Sequence, residues 1–64
     1  METYYKLPKE IFYKNKQKFD RCVFWRFSKD KKSIWIKFEM NCSHLIDFVL
    51  LNNTQMTFNE EEVI

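Results

Sequence analysis

The sequence predicts a small α+β domain, a single unit over residues 1–64. Three observations carry that prediction. Two strand-like stretches, about residues 21–28 and 33–40, flank a polar tetrapeptide and sort cleanly into two faces when paired as a hairpin. The apolar run "LIDFVLL" follows with residues on nearly every side of a helix. A length of 64 residues leaves room for one domain and one core. A chain this short buries only about 60% of its unfolded surface, so dense packing or a partner has to help it.

The opening "ETYYKLPKEIFYKNKQK" reads as a short helix over about 8–17. Pro8 stands where a first helical position tolerates a missing N–H. Leu7, Ile11 and Phe12 can share one side, and Lys14, Lys16 and Lys18 suit the negative end of the helix dipole. The nine residues "YYKLPKEIF" resemble the opening of plasmid replication initiators from low-GC Gram-positive bacteria. The resemblance ends there: "KNKQKFDRCVFW" replaces the polar, alanine-containing helix of that family, so no fold or role is carried over.

In the stretch "RCVFWRFSKDKKSIWIKFEM" the loop is set at Lys29-Asp30-Lys31-Lys32, four residues around a type I turn, because a chain without glycine disfavours tight two-residue turns. Phe27 then opposes Ile34, Trp25 opposes Ile36 and Val23 opposes Phe38, so one face is entirely apolar. The other face pairs Arg26 with Trp35, Phe24 with Lys37 and Cys22 with Glu39, a ladder of cations and aromatics. A slip of one residue would exchange the faces and destroy the sorting. Trp25 is therefore expected in the core and Trp35 on an open outer face.

Residues 44–52 read as a helix, capped by Ser43 or Asn41 and leaving through a left-handed Asn52-Asn53. Leu45, Ile46, Phe48, Val49 and Leu50 cover most of its circumference, and His44, Asp47 and Leu51 form an outward ridge. A buried strand is the alternative for this run. The end, "TQMTFNEEEVI", fits either a third strand over 54–58 with Met56 and Phe58 facing inward, or a terminal helical turn opened by a Thr57/Glu60 capping box.

Composition bounds function. Seven Phe, three Tyr and two Trp are more ring surface than one small core hides, so some belongs to an interface. Lys, Asn, Ile, Phe and Tyr fill 29 positions, and Gly and Ala are absent, which is the codon bias of an A/T-rich genome. All eleven basic residues lie in 1–37, which carries +7, whereas 38–64 carries −5. Such a split suits a polyanionic or acidic partner at one pole, a solvated surface, or head-to-tail pairing into a homodimer.

No signal-like segment or 20-residue apolar run is present, so a cytoplasmic protein without a membrane partner is expected. Cys22 and Cys42 are too few for a disulfide framework and are read as reduced thiols. Those two thiols with His44 fall short of a four-ligand zinc site, and no cofactor motif appears. One histidine, and no nucleophile and base at a recognisable spacing, argue against an enzyme. Two partner classes remain. The first is a host or cognate protein, met by Trp35, Arg26 and Leu51 in the manner of a phage- or plasmid-type accessory protein or inhibitor. The second is single-stranded nucleic acid, met by the hairpin's outer face with Lys37 and by Lys29, Lys31 and Lys32 at its tip.

Overall fold

The computed structural model describes residues 2–19, 23–39 and 42–64. Along the chain these form β1 (Tyr4–Pro8), α1 (Lys9–Lys14), α2 (Lys16–Phe19), β2 (Val23–Phe27), β3 (Ser33–Phe38), α3 (Ser43–Asn52), β4 (Gln55–Thr57) and α4 (Glu60–Val63). The strands make one antiparallel sheet in the order β2-β3-β1-β4. The α+β class stands, with one more strand than the sequence suggested.

The hairpin register is the one that the apolar pattern demands: Val23 opposes Phe38, Trp25 opposes Ile36 and Phe27 opposes Ile34. Its turn closes through the Lys31 amide donating to the Ser28 carbonyl at 3.0 Å. Asp30 organises the tip, accepting from the Ser28 hydroxyl and from the Lys32 amide. Lys31 takes the left-handed conformation, φ 61°, that a glycine would adopt without strain. The hairpin's predicted outer limits at 21, 22 and 40, and the expected Cys22–Glu39 pair, lie outside the described residues.

β1 was not expected. Tyr5 and Leu7 oppose Ile36 and Ile34 of β3, which makes β3 a central strand. Pro8 ends β1 where β4 has run out: the last β1–β4 pair is Lys6 with Gln55, and the Lys6 carbonyl accepts from the Thr54 amide at 2.8 Å. Ladder alternation turns residue 8 toward that same vacant side, so its missing N–H breaks no bond. The helix predicted over 8–17 is accordingly corrected. Leu7 belongs to a strand, and Asn15 interrupts the remainder, its side-chain amide donating to the Ile11 carbonyl at 2.8 Å. The break turns Phe12 of α1 and Phe19 of α2 into a parallel stack, ring centroids 5.4 Å apart.

The inner face of the sheet carries the core: Leu7, Ile34 and Ile36 pack against Phe12, Phe19, Cys42, Leu45 and Val49. Aromatic edges knit its border, with Phe12 and Trp25 at 5.0 Å and Phe19 and Phe48 at 5.8 Å. Large rings close the space that a chain without Ala or Gly cannot fill with small residues. Trp25 is only half-buried, because β2 is an edge strand. Residues 44–52 are helical rather than a strand. The helix exits through an extended Asn53 (φ −71°, ψ 142°) instead of a left-handed pair, and the Asn52 side chain donates to the Phe48 carbonyl at 2.8 Å. Cys42 occupies the N-cap position; Asn41 and the Ser43 side chain lie outside the described residues.

The tail forms both alternatives in turn, strand then helical turn. Its cap is Asn59, whose Oδ1 accepts from the Glu61 amide at 3.0 Å, not the expected Thr57/Glu60 box. Thr57 instead accepts from the Asn59 amide at 3.0 Å. Phe58 and Met56 are exposed rather than packed inward.

Candidate functional site

Two surfaces collect the residues singled out in the sequence, and they lie on opposite sides of the sheet. The first is the outer face. Tyr4 and Lys6 of β1, Trp35 and Lys37 of β3, and Phe24 and Arg26 of β2 share it by strand alternation. Each ring has a cation close by. Lys6 Nζ lies 5.5 Å from the Trp35 ring, and Lys37 Nζ lies 5.4 Å from Phe24 and 5.9 Å from Tyr4. The expected pairing of Phe24 with Lys37 is present, whereas the cation over Trp35 is Lys6, from the strand that was not foreseen.

Trp35 is not an open anchor. It is 4% exposed, clustered with Tyr4 and Val63. The tail contributes to this: Val63 of α4 is buried in the same cluster as the indole, and Glu62 lines the cleft beside it. This corrects the expectation of an exposed Trp35. Arg26 remains exposed and Lys37 half-buried. Lys37 donates to Glu2 at 3.3 Å, and that bond, ahead of the other influences, raises its pKa. The Tyr4 phenol is also raised, by burial first and then by the Glu60 carboxylate.

Lys29, Lys31 and Lys32 stand exposed at the hairpin tip, as expected. Beside them a cleft of about 320 Å³, floored by Trp35, is walled by Lys6, Lys29, Asp30, Gln55 and Glu62. The Ser28 hydroxyl, followed by the Lys32 amide, holds the Asp30 carboxyl below its usual pKa.

α4 is weakly held. Its hydrogen bonds are local ones among residues 57–64. Val63 is its buried side chain, and burying one valine contributes only about 1.5–3 kcal/mol. A four-residue turn is too short to persist without such contact.

The second surface is the solvent side of α3. Leu51 is there, 85% exposed, together with His44 and Asp47. Ile46 and Leu50 join them, so the outward side is wider than the expected ridge of His44, Asp47 and Leu51. At about 100° per residue, Ile46, Leu50, Asp47, Leu51 and His44 fall in one arc, whereas Leu45 and Val49 face the core. The signal that could have found this was narrowness: a ten-residue helix against a sheet buries one stripe, and Leu45, Phe48 and Val49 already fill it. Leu51 is thus separated from Arg26, Trp35 and Lys37 by the sheet and core, and Lys29, Lys31 and Lys32 lie apart from both at the hairpin tip.

Among the described residues no group of three His, Cys, Asp or Glu could hold a metal ion. No helix among them is long and apolar enough to cross a membrane. Compared with protein-family models, curated proteins and solved structures, the chain matches none.

Proposed function

We propose that this is a non-catalytic binding protein that docks on a host or cognate protein through the exposed side of α3. The partner surface is an apolar groove that receives Leu51, Leu50 and Ile46, in the helix-in-groove mode, with a polar group within it for Asp47 and another at its margin for His44. The observation that carries this is Leu51, 85% exposed beside two further exposed aliphatic residues on one helix. Nothing in the fold requires them there, since the core side of α3 is already filled. Isolated exposed leucines are ordinary, but a contiguous aliphatic arc on so small a surface marks an interaction site. A composition rich in residues that A/T-rich codons specify suits a phage- or plasmid-type accessory protein or inhibitor acting in the cytoplasm. Leu51 replaces Trp35 as the preferred anchor, because the indole is covered.

The experiment pairs capture from nuclease-treated low-GC bacterial lysate with three proteins: wild type, Leu51→Asp and a Lys29/Lys31/Lys32→Ala triple variant. Leu51→Asp should leave the urea midpoint within the equivalent of about 0.5 kcal/mol, as a surface change does. It should nevertheless abolish retention of a stoichiometric partner that the triple variant keeps. Equal retention by Leu51→Asp and wild type would remove α3 from the interface.

A further inference from the structure

We propose that the outer face of the sheet is a second binding surface, for single-stranded nucleic acid, and that α4 is a displaceable acidic strap lying over it.

The surface has the parts such a ligand needs. Tyr4, Trp35 and Phe24 stand on three neighbouring strands, β1, β3 and β2, at a strand spacing of about 4.8 Å. Lys6 and Lys37 lie within 6.0 Å of those rings, and Arg26 opposes Trp35 across the ladder. Rings that accept a base and cations that follow the backbone are the two components of single-strand recognition. Lys29, Lys31 and Lys32 extend the positive surface past the end of β3. Among the described residues the carboxylates bordering the face include Glu2, tied to Lys37, Glu39, close enough to act on Lys37, Asp30, bound within the turn, and those of the strap.

The strap resembles the ligand it would exclude. Glu60, Glu61 and Glu62 are consecutive, and Glu62 walls the same cleft as Lys6 and Lys29 above the Trp35 ring. The carboxylate therefore stands where a phosphate would lie, and Val63 covers the rings where a base would stack. Local hydrogen bonds travel with the strap when it lifts, so what has to be broken is the Val63 contact together with the attraction of its glutamates to the basic face. A ligand that meets the face in a minor open state binds with its affinity reduced by that state's population. Removing the strap restores the difference.

The test is fluorescence anisotropy with a labelled oligothymidylate of about 15 nucleotides, near the upper site size of one small domain. It is run at roughly 50 and 200 mM salt, where phosphate contacts separate from apolar ones. Four proteins are compared: wild type, a chain ending at Phe58, Glu60→Gln/Glu61→Gln/Glu62→Gln, and the shortened chain with Phe24→Ala. The shortened chain should stay folded by near-ultraviolet circular dichroism and bind roughly five- to thirtyfold more tightly than wild type, with affinity falling steeply in salt. The triple Gln variant should move the same way, and Phe24→Ala should lose about fivefold or more. In a Trp25→Phe background the oligonucleotide should quench Trp35. If the shortened chain unfolds, α4 is part of the core and the strap is refuted. If both variants fold and bind no better than wild type, the surface is refuted. Since α3 lies on the other side of the sheet, neither result bears on Leu51 and its partner.

Discussion

Trp35 offers the sharpest test of how the tail and the sheet share stability. Its indole is 4% exposed, held among Tyr4, the Lys6 side chain and Val63. Truncating a buried tryptophan to alanine costs about 3–5 kcal/mol. The whole stability of a 64-residue domain is only about 3–10 kcal/mol at ordinary values per residue, so Trp35→Ala removes much or all of it. Loss of residues 59–64 should be far milder, about 1–2 kcal/mol, because burial of Val63 is partly offset by the cost of ordering the strap. Combining the two changes should give less than their sum, by about 0.5–2 kcal/mol, because Val63 and Trp35 share one contact. Urea unfolding followed by circular dichroism reads all three. With a denaturant slope near 1 kcal/mol per molar, the tail deletion shifts the midpoint by about 1–2 M. Strict additivity, or a Trp35→Ala cost below about 1 kcal/mol, would show that the strap does not rest on the indole. A closing energy of 1–2 kcal/mol also corresponds to roughly five- to thirtyfold in the open population, the scale expected for the oligonucleotide experiment.

Two further outcomes follow from the hairpin tip. Lys31, at φ 61°, carries a left-handed penalty of about 1–2 kcal/mol, so Lys31→Gly should stabilise the protein by roughly 0.5–1 kcal/mol after the added freedom of the unfolded chain, measured by urea melts; a loss of stability would refute the assigned conformation. Asp30 titrates below its unfolded value because the Ser28 hydroxyl and Lys32 amide favour the carboxylate, so its contribution is present above the ordinary carboxylate pKa and lost as pH falls through the lower folded value. Its side-chain carbon signal should show a midpoint below about 3.9 by magnetic resonance, and a midpoint at or above that would remove the bond from the tip.

The parts of the fold legible in the sequence were those where two constraints met on the same residues. In the hairpin, strand propensity, the loop and a two-face apolar pattern agree on one register, and Trp25 does oppose Ile36. β1 escaped because Tyr4–Pro8 is five residues long and its proline suits the start of a helix as well as the end of a strand. Local chemistry does not separate those cases. The absence of a β4 partner beyond Lys6 does, and that depends on where a segment nearly fifty residues later comes to rest. Trp35 failed for the same physical reason. Its own strand dictates which way it points, but not whether another element covers that side.

The tail shows why such coverage is hard to read locally. "MTFNEEEVI" contains one aliphatic residue placed to reach back to the sheet, Val63, in a segment whose composition otherwise indicates solvent. Its position depends on a balance between one buried contact and the freedom of a short turn, with three glutamates beside a basic face adding an attraction that salt screens. A structure held by so small a margin is weakly encoded in the residues that form it. The same small margin is what lets a ligand displace it. The acidic end and the basic, aromatic face are therefore best understood together. The −5 of residues 38–64 and the +7 of residues 1–37 meet in part within one molecule, across the Trp35 cleft, before either meets a partner.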